Sequence, residues 1–319
     1  MQDPFPWRKY LMAHITNNRQ GFLNVTWEVT STCNYSCWYC GEAQHDGRYR
    51  WPDLDVALRW WHSICDQRPG VHADLLGGEP TLWPDLSTFL RDKPQNLTVE
   101  VSTNGSRTLR WWADAWPLMN GASISYHPSH ADEDHIYDLC ELLSADPSKI
   151  LHLSLMLDPD HLDALQSLYV RLLSSGMRMT CDSKQLTVRN ARDQQSIEQT
   201  HRDQRVLEMI AGNRFYRSWR GGHPGAPTRS WLDGVEFKTV DLKAQGRNRF
   251  RGWTCTAGQD RLFIVADGSI YRAGCRQGGV LSHITSTDLM DFSSIGTVIC
   301  AKDACWCGPE IRLEKWLTD

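Results

Sequence analysis

The sequence lacks long apolar stretches, internal repeats and low-complexity tracts. No run of roughly 18 or more apolar residues is present, so we expect no membrane-spanning helix. The first residues, MQDPFPWRKYLMAHITNN, contain no apolar segment of the kind found in secretory signals. A net charge of −4 gives the chain as a whole no attraction for a polyanion. We therefore expect a cytoplasmic protein whose 319 residues fold as one large domain or two smaller ones.

Cysteine, in contrast, is plentiful, and most of the 11 residues fall into two groups. In a chain expected in the cytoplasm, this favours metal binding over disulfides. The first group is Cys33, Cys37 and Cys40, and the second is Cys255, Cys275, Cys300, Cys305 and Cys307. Of the remaining cysteines, Cys140 is predicted to lie in the core. Cys181 is a candidate for a redox or hydrogen-donor role.

The first group lies in the run CNYSCWYC, with the spacing C-x3-C-x2-C. Three thiolates on one short loop can hold three irons of a [4Fe–4S] cluster and leave the fourth iron open to another ligand. Cys33 follows the apolar run 23–29, so the loop is predicted to come directly after a first strand. The alternatives are buried free thiols or a structural zinc site, which His45 can complete.

Apolar periodicity predicts alternating strands and helices up to about residue 184. The strands are expected at 23–29, 73–76, 97–102, 122–126, 151–157 and 178–181. The helices are expected at 53–67, 84–91, 107–118, 132–144 and 161–175. This alternation indicates an α/β fold with a parallel sheet and right-handed crossovers, either Rossmann-like or a barrel. In both cases, the active groups should follow the carboxyl ends of the strands.

Polar motifs stand where these strands end. GGEP at 77–80 follows the second strand, STNG at 102–105 ends the third, and SYH at 125–127 ends the fourth. Glycines permit close backbone approach, and the Glu79 carboxylate can accept hydrogen bonds from an ammonium group. Each motif alone is also compatible with an ordinary turn, and His127 with a structural histidine.

Together, the cysteine run and the strand-end motifs resemble the radical S-adenosylmethionine (SAM) superfamily. The resemblance implies a partial (β/α)6 radical SAM barrel over residues 23–184. Its [4Fe–4S] cluster would be held by Cys33, Cys37 and Cys40, and SAM would chelate the open iron. A flavodoxin- or ferredoxin-type donor would supply one electron. The cluster would then cleave SAM to methionine and a 5′-deoxyadenosyl radical, which abstracts a substrate hydrogen atom.

The resemblance also implies individual site residues. The GGEP turn would hold the SAM amino group, Ser102 and Asn104 would face its ribose or carboxylate, and Tyr39 would pack on the adenine. The implied cofactor-binding residues are Tyr39, Gly77, Gly78, Glu79, Pro80, Ser102, Asn104, Ser125 and Met156. The catalytic candidates, at or near later strand ends, are Tyr126, His127 and Lys184.

The second cysteine group surrounds a predicted β-hairpin. RLFIVADGSIYRAG, between Cys255 and Cys275, contains two strands around an Asp-Gly turn. A cysteine on each side of a hairpin, followed by a close-set group, resembles the twitch domain, a short relative of the SPASM domain. This implies a small twitch-like domain at 253–319 with one auxiliary [4Fe–4S] cluster. The predicted ligands are Cys255, Cys275, Cys305 and Cys307, with Cys300 as the spare. A structural zinc ribbon is the alternative.

A basic stretch joins the two halves. Residues 1–22 are predicted as an N-terminal extension and 185–252 as a bridging segment. Within 184–251, 14 Lys or Arg face seven Asp or Glu, and aromatic residues are interleaved. This composition suits an anionic substrate such as a nucleotide or nucleic acid, with Arg214, Arg217 and Arg220 as candidate contacts. The alternative is a solvated helix at 193–211 followed by a linker loop.

Three substrate hypotheses follow for an isomerase- or oxidoreductase-type radical SAM enzyme. The favoured one is a nucleotide or modified nucleic-acid base. The second is a ribosomally made peptide, delivered by a separate peptide-recognition protein. The third is a sugar or another small metabolite. A non-catalytic iron–sulfur or zinc protein remains as a different class.

Overall fold

The computed structural model describes residues 14–17, 22–189, 196–198, 229–288 and 290–317. In this part of the chain, no helix is both long enough and apolar enough to cross a bilayer. The strands in chain order are β1 (His14–Asn17), β2 (Phe22–Thr30), β3 (Gly70–Gly77), β4 (Leu97–Thr103), β5 (Gly121–Tyr126), β6 (Ile150–Leu157), β7 (Thr180–Gln185), β8 (Thr187–Arg189), β9 (Ser196–Glu198), β10 (Ser230–Leu232), β11 (Val235–Glu236), β12 (Thr254–Cys255), β13 (Arg261–Ile264), β14 (Ser269–Tyr271), β15 (Val280–His283), β16 (Val298–Ile299) and β17 (Lys315–Trp316).

Five helices connect the strands of the first half. They are α1 (Leu54–Asp66), α2 (Leu86–Asp92), α3 (Leu109–Ala115), α4 (Glu133–Ser144) and α5 (Leu162–Ser175). The described part of the second half contains two short helices, Thr239–Ala244 and Gly308–Ile311. The predicted start of α1 is confirmed, because the Asp53 side chain accepts a hydrogen bond from the Val56 N–H at 3.0 Å. Gly176 ends α5 in the left-handed conformation, with φ of 73°.

Nine strands form the main sheet, in the order β15-β14-β13-β2-β3-β4-β5-β6-β7. Strands β2 to β7 pair in parallel, which confirms the predicted α/β fold and its six parallel strands. Strands β13 and β14 pair antiparallel and confirm the predicted hairpin. That hairpin extends the main sheet, because β13 pairs in parallel with β2. Within the described residues, β7 and β15 are the two edges of an open sheet.

A second sheet joins both ends of the described chain. Its order is β11-β10-β1-β17-β12-β16. The central pairing joins β1, from the predicted extension 1–22, to β17, near the C-terminus. These strands have two to four residues, too few for alternation to reveal them in the sequence.

One sequence interpretation is wrong in the bridging segment. The solvated helix suggested for 193–211 is not present at Ser196–Glu198, which form β9 and pair antiparallel with β8. Arg214, Arg217 and Arg220 lie outside the described residues.

The hydrophobic core fills the space between the main sheet and the helices. Alternate residues of β3, Val71, Ala73 and Leu75, are buried against the helices, and their neighbours face the opposite side. Aromatic rings pack against one another in the part of this core next to β2. Trp27 on β2 lies 5.7 Å from Trp61, 5.8 Å from Trp83 and 5.8 Å from Phe89, measured between ring centroids. Several of the 15 tryptophans are therefore structural.

Helix α5 allows a matched test of this packing. Leu168 is fully buried, whereas Leu173 is 48% exposed. We expect Leu168→Ala to lower the free energy of unfolding by about 2–5 kcal/mol, because it removes buried methyl groups and leaves a cavity. Leu173→Ala should stay within about 0.5 kcal/mol of the parent protein. Urea unfolding followed by circular dichroism measures both, and equal losses would contradict the assigned core face.

Candidate functional site

The first cysteine group lies on the loop that leaves the carboxyl end of β2. This loop is fastened at its start, since the Ser31 N–H donates to the Tyr49 carbonyl at 2.7 Å. The turn after β3 holds it from the side. There the Gly78 N–H donates to the Thr30 carbonyl at 2.7 Å, and the Glu79 N–H donates to the Thr32 carbonyl at 2.8 Å. Parallel strands bring their carboxyl ends to one edge, so the loop and the GGEP turn meet there.

Glycine is required in this turn for close approach. A Cβ on Gly78 would lie 2.2 Å from the Thr32 carbonyl oxygen and 2.8 Å from that of Gln44. Gly77 has φ of 137° and would place a Cβ 2.4 Å from the Thr30 carbonyl oxygen. Both glycines therefore allow the turn to pack directly on the backbone of the cysteine loop.

The Glu79 carboxylate joins two strand-end turns inside the protein. It is fully buried. One oxygen accepts from the Thr81 N–H (3.0 Å), the Thr81 hydroxyl (2.6 Å) and the Thr103 hydroxyl (2.7 Å). The other accepts from the Asn104 N–H at 2.6 Å. Burial raises the pKa of Glu79, and these hydrogen bonds oppose the rise.

This arrangement gives Glu79 a structural role. All four hydrogen bonds to its carboxylate come from the protein, and no part of the residue reaches solvent. The expected contact between this carboxylate and a SAM ammonium stays a prediction. Thr81 and Thr103, which the sequence analysis missed, complete the arrangement. A hydroxyl residue two positions after Glu79 was the available signal.

Each thiol of the first group has a different polar neighbour. Cys33 accepts from the Tyr35 N–H at 3.3 Å, with the Asn104 amide nitrogen 3.9 Å away. Cys37 lies 3.4 Å from His127 Nδ1. Cys40 lies 3.4 Å from Gln44 Oε1. Burial is the main cause that raises the pKa of Cys33, and it raises that of Cys37 to about 11.

His127 contacts Tyr39 as well as Cys37. The Tyr39 hydroxyl lies 2.6 Å from His127 Nδ1, and the two rings are nearly parallel at 5.8 Å. Burial lowers the pKa of His127 to about 4, with a smaller contribution from His130, so its imidazole is neutral at pH 7. Tyr39 and Cys37 are both buried and form an apolar cluster with Leu186, against which Met156 packs. This places Tyr39, His127 and Met156 beside the cysteine loop.

The second group gathers around one cavity. All five cysteines line a space of about 360 Å³. Burial is the largest cause that raises the pKa values of Cys255, Cys275 and Cys307, and it raises that of Cys305 to about 12. Lys315 and Glu310 line the same cavity.

A zinc ion and a [4Fe–4S] cluster require different distances between the cysteine sulfurs. Tetrahedral zinc with bonds of about 2.3 Å to sulfur brings its thiolates within about 4 Å of one another. Among the described residues, no three cysteine sulfurs of either group lie within 4.8 Å of one another, nor does His45 complete such a set. A [4Fe–4S] cluster binds each thiolate through a different iron and needs wider spacing. Neither group is therefore arranged as a compact zinc site in the described residues.

The open face of the main sheet, on the side away from the helices, is polar. His72 Nε2 lies 3.1 Å from an Asp74 oxygen and 3.9 Å from one of Glu100. His152 Nε2 lies 3.2 Å from an Asp182 oxygen. The Nδ1 atoms lie 2.9 and 2.7 Å from threonine hydroxyls, those of Thr98 and Thr180 respectively. Sequence reasoning missed this face, although these residues alternate with buried ones along their strands.

Comparison with known proteins agrees with this geometry. Residues 27–140 match a protein-family model described as the Radical SAM superfamily. The matched residues make up about a third of the chain, and they include the first cysteine loop and the GGEP and STNG motifs. No curated protein matches the chain.

Solved structures with a similar fold include peptide-bound proteins. SuiB of Streptococcus suis, bound to its precursor peptide SuiA, is 12% identical with a TM-score of 0.51, and the match covers 84% of this chain and 64% of SuiB. Native anSMEcpe with AdoMet and the Cp18Cys peptide is also 12% identical with a TM-score of 0.51. This match covers 86% of this chain and 80% of anSMEcpe. Native anSMEcpe with AdoMet is 14% identical with a TM-score of 0.50. This match covers 83% of this chain and 78% of anSMEcpe. At these identities the likeness concerns the fold.

The remaining candidate residues lie on different sides of the main sheet. Tyr126 is 1% exposed and lies in the core between sheet and helices, and its assignment as a catalytic candidate stays a prediction. Strand alternation sends its neighbour Ser125 to the opposite face. Ser102 is half-buried on that same open face, and Lys184 is exposed near the end of β7. Pro80 is buried and begins a short 3-10 helix, where it shapes the turn.

A glycine substitution tests the fastening of the loop. We expect Gly78→Ala to lower the iron content of the anaerobically reconstituted protein, because its Cβ would displace the backbone that carries the cysteines. Gly296→Ala is the matched control, since a Cβ there meets nothing within 4 Å. Iron and sulfide analysis measures the effect, and equal iron content in the two variants would contradict this role of Gly78.

An isosteric change tests the bridge at Glu79. Either orientation of the amide in Glu79→Gln turns its NH2 group toward a backbone N–H, that of Thr81 or that of Asn104. We expect a loss of about 1–3 kcal/mol in the free energy of unfolding, because a buried donor loses its acceptor. Glu141→Gln, at an exposed position of α4, should change little. Urea unfolding that leaves Glu79→Gln as stable as Glu141→Gln would show that the bridge is dispensable.

Proposed function

We propose that this chain is a radical SAM enzyme whose first cluster is held by Cys33, Cys37 and Cys40. The observation that carries the proposal is the placement of three thiols on one loop at the carboxyl edge of the parallel sheet. When bound, the cluster and SAM supply a 5′-deoxyadenosyl radical that removes a hydrogen atom from the substrate. The family model that matches residues 27–140 supports this proposal over a non-catalytic zinc protein.

The chain's own residues have three tasks in this proposal. The thiolates hold the cluster, and the Gly78–Glu79 turn fixes the loop that carries them. Asn104 is positioned by its N–H bond to Glu79, and its side chain lies near Cys33 and donates to Asn34 at 2.9 Å. The buried side chains of Tyr39 and Leu186 exclude water on one side of the loop. Exclusion of water protects a reactive intermediate from side reactions.

The second cysteine group is proposed to hold one auxiliary [4Fe–4S] cluster. Five cysteines line its cavity, which suffices for one cluster with four ligands and leaves one spare. We retain Cys255, Cys275, Cys305 and Cys307 as the ligands and Cys300 as the spare. Such a cluster can accept an electron from the substrate, and the net reaction is then an oxidation of the substrate. If no electron is transferred to the cluster, the reaction is an isomerisation of the substrate.

For the substrate, we propose a peptide. SuiB and anSMEcpe, which share the fold, were solved with peptides bound. The open sheet face also disfavours a polyanion. Among the described residues of this face, the carboxylates outnumber the basic side chains, and they belong to Glu28, Asp74, Glu100 and Asp182. Its basic groups are Lys184 and Arg261, and Arg261 is bonded to Glu310.

The nucleic-acid hypothesis rested on a different surface. Its candidate contacts Arg214, Arg217 and Arg220 lie outside the described residues, and the hypothesis remains a prediction. The same holds for the flavodoxin- or ferredoxin-type electron donor and for a separate peptide-recognition protein. A sugar or small metabolite remains the third candidate.

Release of 5′-deoxyadenosine tests activity and substrate class together. The full chain is reconstituted anaerobically and supplied with SAM and dithionite, alone or with a cell peptide pool, a small-metabolite pool or duplex DNA. We expect release that the peptide pool raises severalfold and the other additions do not. Cys37→Ala should abolish release, whereas Cys140→Ala, at a core cysteine outside both groups, should preserve it. Stimulation by DNA alone would overturn the peptide assignment, and no release from iron-loaded protein would overturn the enzyme assignment.

A further inference from the structure

Lys315 is a lysine placed in the protein interior. Only 2% of its surface is exposed. It lies on β17, in the middle of the second sheet, paired with Ile15 of β1 on one side and Cys255 of β12 on the other. A buried lysine is costly unless its polar head is hydrogen-bonded, so its partners identify its state.

The head of Lys315 is bound as a cation. Its Nζ donates to three backbone carbonyls, those of Glu310 at 2.7 Å, Leu313 at 3.0 Å and Ile311 at 3.1 Å. Three donated hydrogen bonds require three protons, which the ammonium has and the neutral amine lacks. The Phe250 ring, whose centroid lies 4.8 Å from Nζ, adds a cation–π contact. A full positive charge is therefore held in the interior.

No carboxylate of the described residues neutralises this charge. The nearby Glu310 carboxylate is taken by Arg261 at 3.1 Å and by the Gly274 N–H at 3.1 Å. Lys315 instead binds only the uncharged backbone oxygens just described, and forms no ion pair in that part of the chain. Its charge remains available to act on other groups nearby.

Those groups are the cysteines of the second site. Lys315 lines the cavity that contains all five, and its charge acts attractively on Cys255 and Cys305. The Glu310 carboxylate acts in the opposite direction on Cys275, Cys305 and Cys307. A cluster with four thiolate ligands is anionic, and one-electron reduction makes it more so. A fixed positive charge beside the cavity favours the reduced form, and the burial of Lys315 limits the screening of that charge by water.

We propose that Lys315 is the built-in counter-charge of the five-cysteine cavity and raises the reduction potential of the cluster bound there. It is a positioning residue that acts through the field of its ammonium and not as a ligand. This inference rests on the proposed auxiliary cluster. A higher potential suits a centre that accepts an electron from the substrate side of the reaction.

The test is a redox titration of the auxiliary cluster in the full chain. Cys33, Cys37 and Cys40 are replaced by Ala so that only the second site carries a signal, which electron paramagnetic resonance follows against potential. Into this background go Lys315→Met, which removes the charge at similar volume, and Lys315→Gln, which keeps a donor for the backbone carbonyls. Circular dichroism shows which variants are folded, and iron content shows which carry the cluster. If Lys315→Met is unfolded or lacks iron, the result for Lys315→Gln decides.

The matched control is Lys302, which lines the same cavity but is exposed to solvent. We expect the Lys315 variants to shift the potential to more negative values and Lys302→Met to shift it much less, because water screens an exposed charge. An unchanged potential in a loaded Lys315 variant, or a shift no larger than that of Lys302→Met, would overturn the proposal.

Failure of the auxiliary cluster itself would look different. In that case the triple-alanine background binds no iron even with Lys315 intact, whereas the parent chain binds about four irons instead of about eight. Iron analysis therefore separates the absence of the cluster from the absence of a charge effect.

Discussion

The buried carboxylate of Glu79 is the interaction on which the first site depends. A parallel sheet brings strand ends to one edge but does not fix the turns that follow them. Here, hydrogen bonds from Thr81, Thr103 and Asn104 end on one carboxylate, so the turns after β3 and β4 become one unit. Backbone bonds from Gly78 and Glu79 then attach the cysteine loop to that unit. The low polarity of the interior strengthens each of these bonds and makes loss of any partner costly.

The second site depends on a different arrangement, in which distant parts of the chain are joined by short strands. Strand β17 carries Lys315 and lies between β1 and β12, which carries Cys255. Hairpin β13–β14 joins the main sheet through β2, the same strand that leads into the first cysteine loop. The two cysteine groups are thus attached to one connected framework. Arg261 links its parts further, because it donates to Thr26 of β2 at 2.6 Å and bonds Glu310 beside the cavity.

Local patterns in the sequence were enough to predict the parallel sheet, the hairpin and the two cysteine groups. Apolar alternation, Asp-Gly turns and cysteine spacing act over a few residues, and such signals can be read without tertiary information. The second sheet could not be read, since its strands are too short to show a period. The bridge made by Glu79 could not be read either, because burial of a carboxylate depends on donors that are distant in sequence, such as Thr103. The side of the sheet on which Tyr126 lies depends on strand alternation next to a turn, where the sequence pattern is weakest.

The central claim is that the first cluster has an open iron that takes SAM. Electron paramagnetic resonance of the dithionite-reduced protein, recorded with and without SAM, tests it most directly. Replacement of Cys255, Cys275, Cys300, Cys305 and Cys307 by Ala in the full chain removes the contribution of the second site. The account predicts that SAM changes the spectrum of the reduced first cluster, because a new ligand binds one of its irons. Identical spectra from fully loaded protein with and without SAM would contradict it.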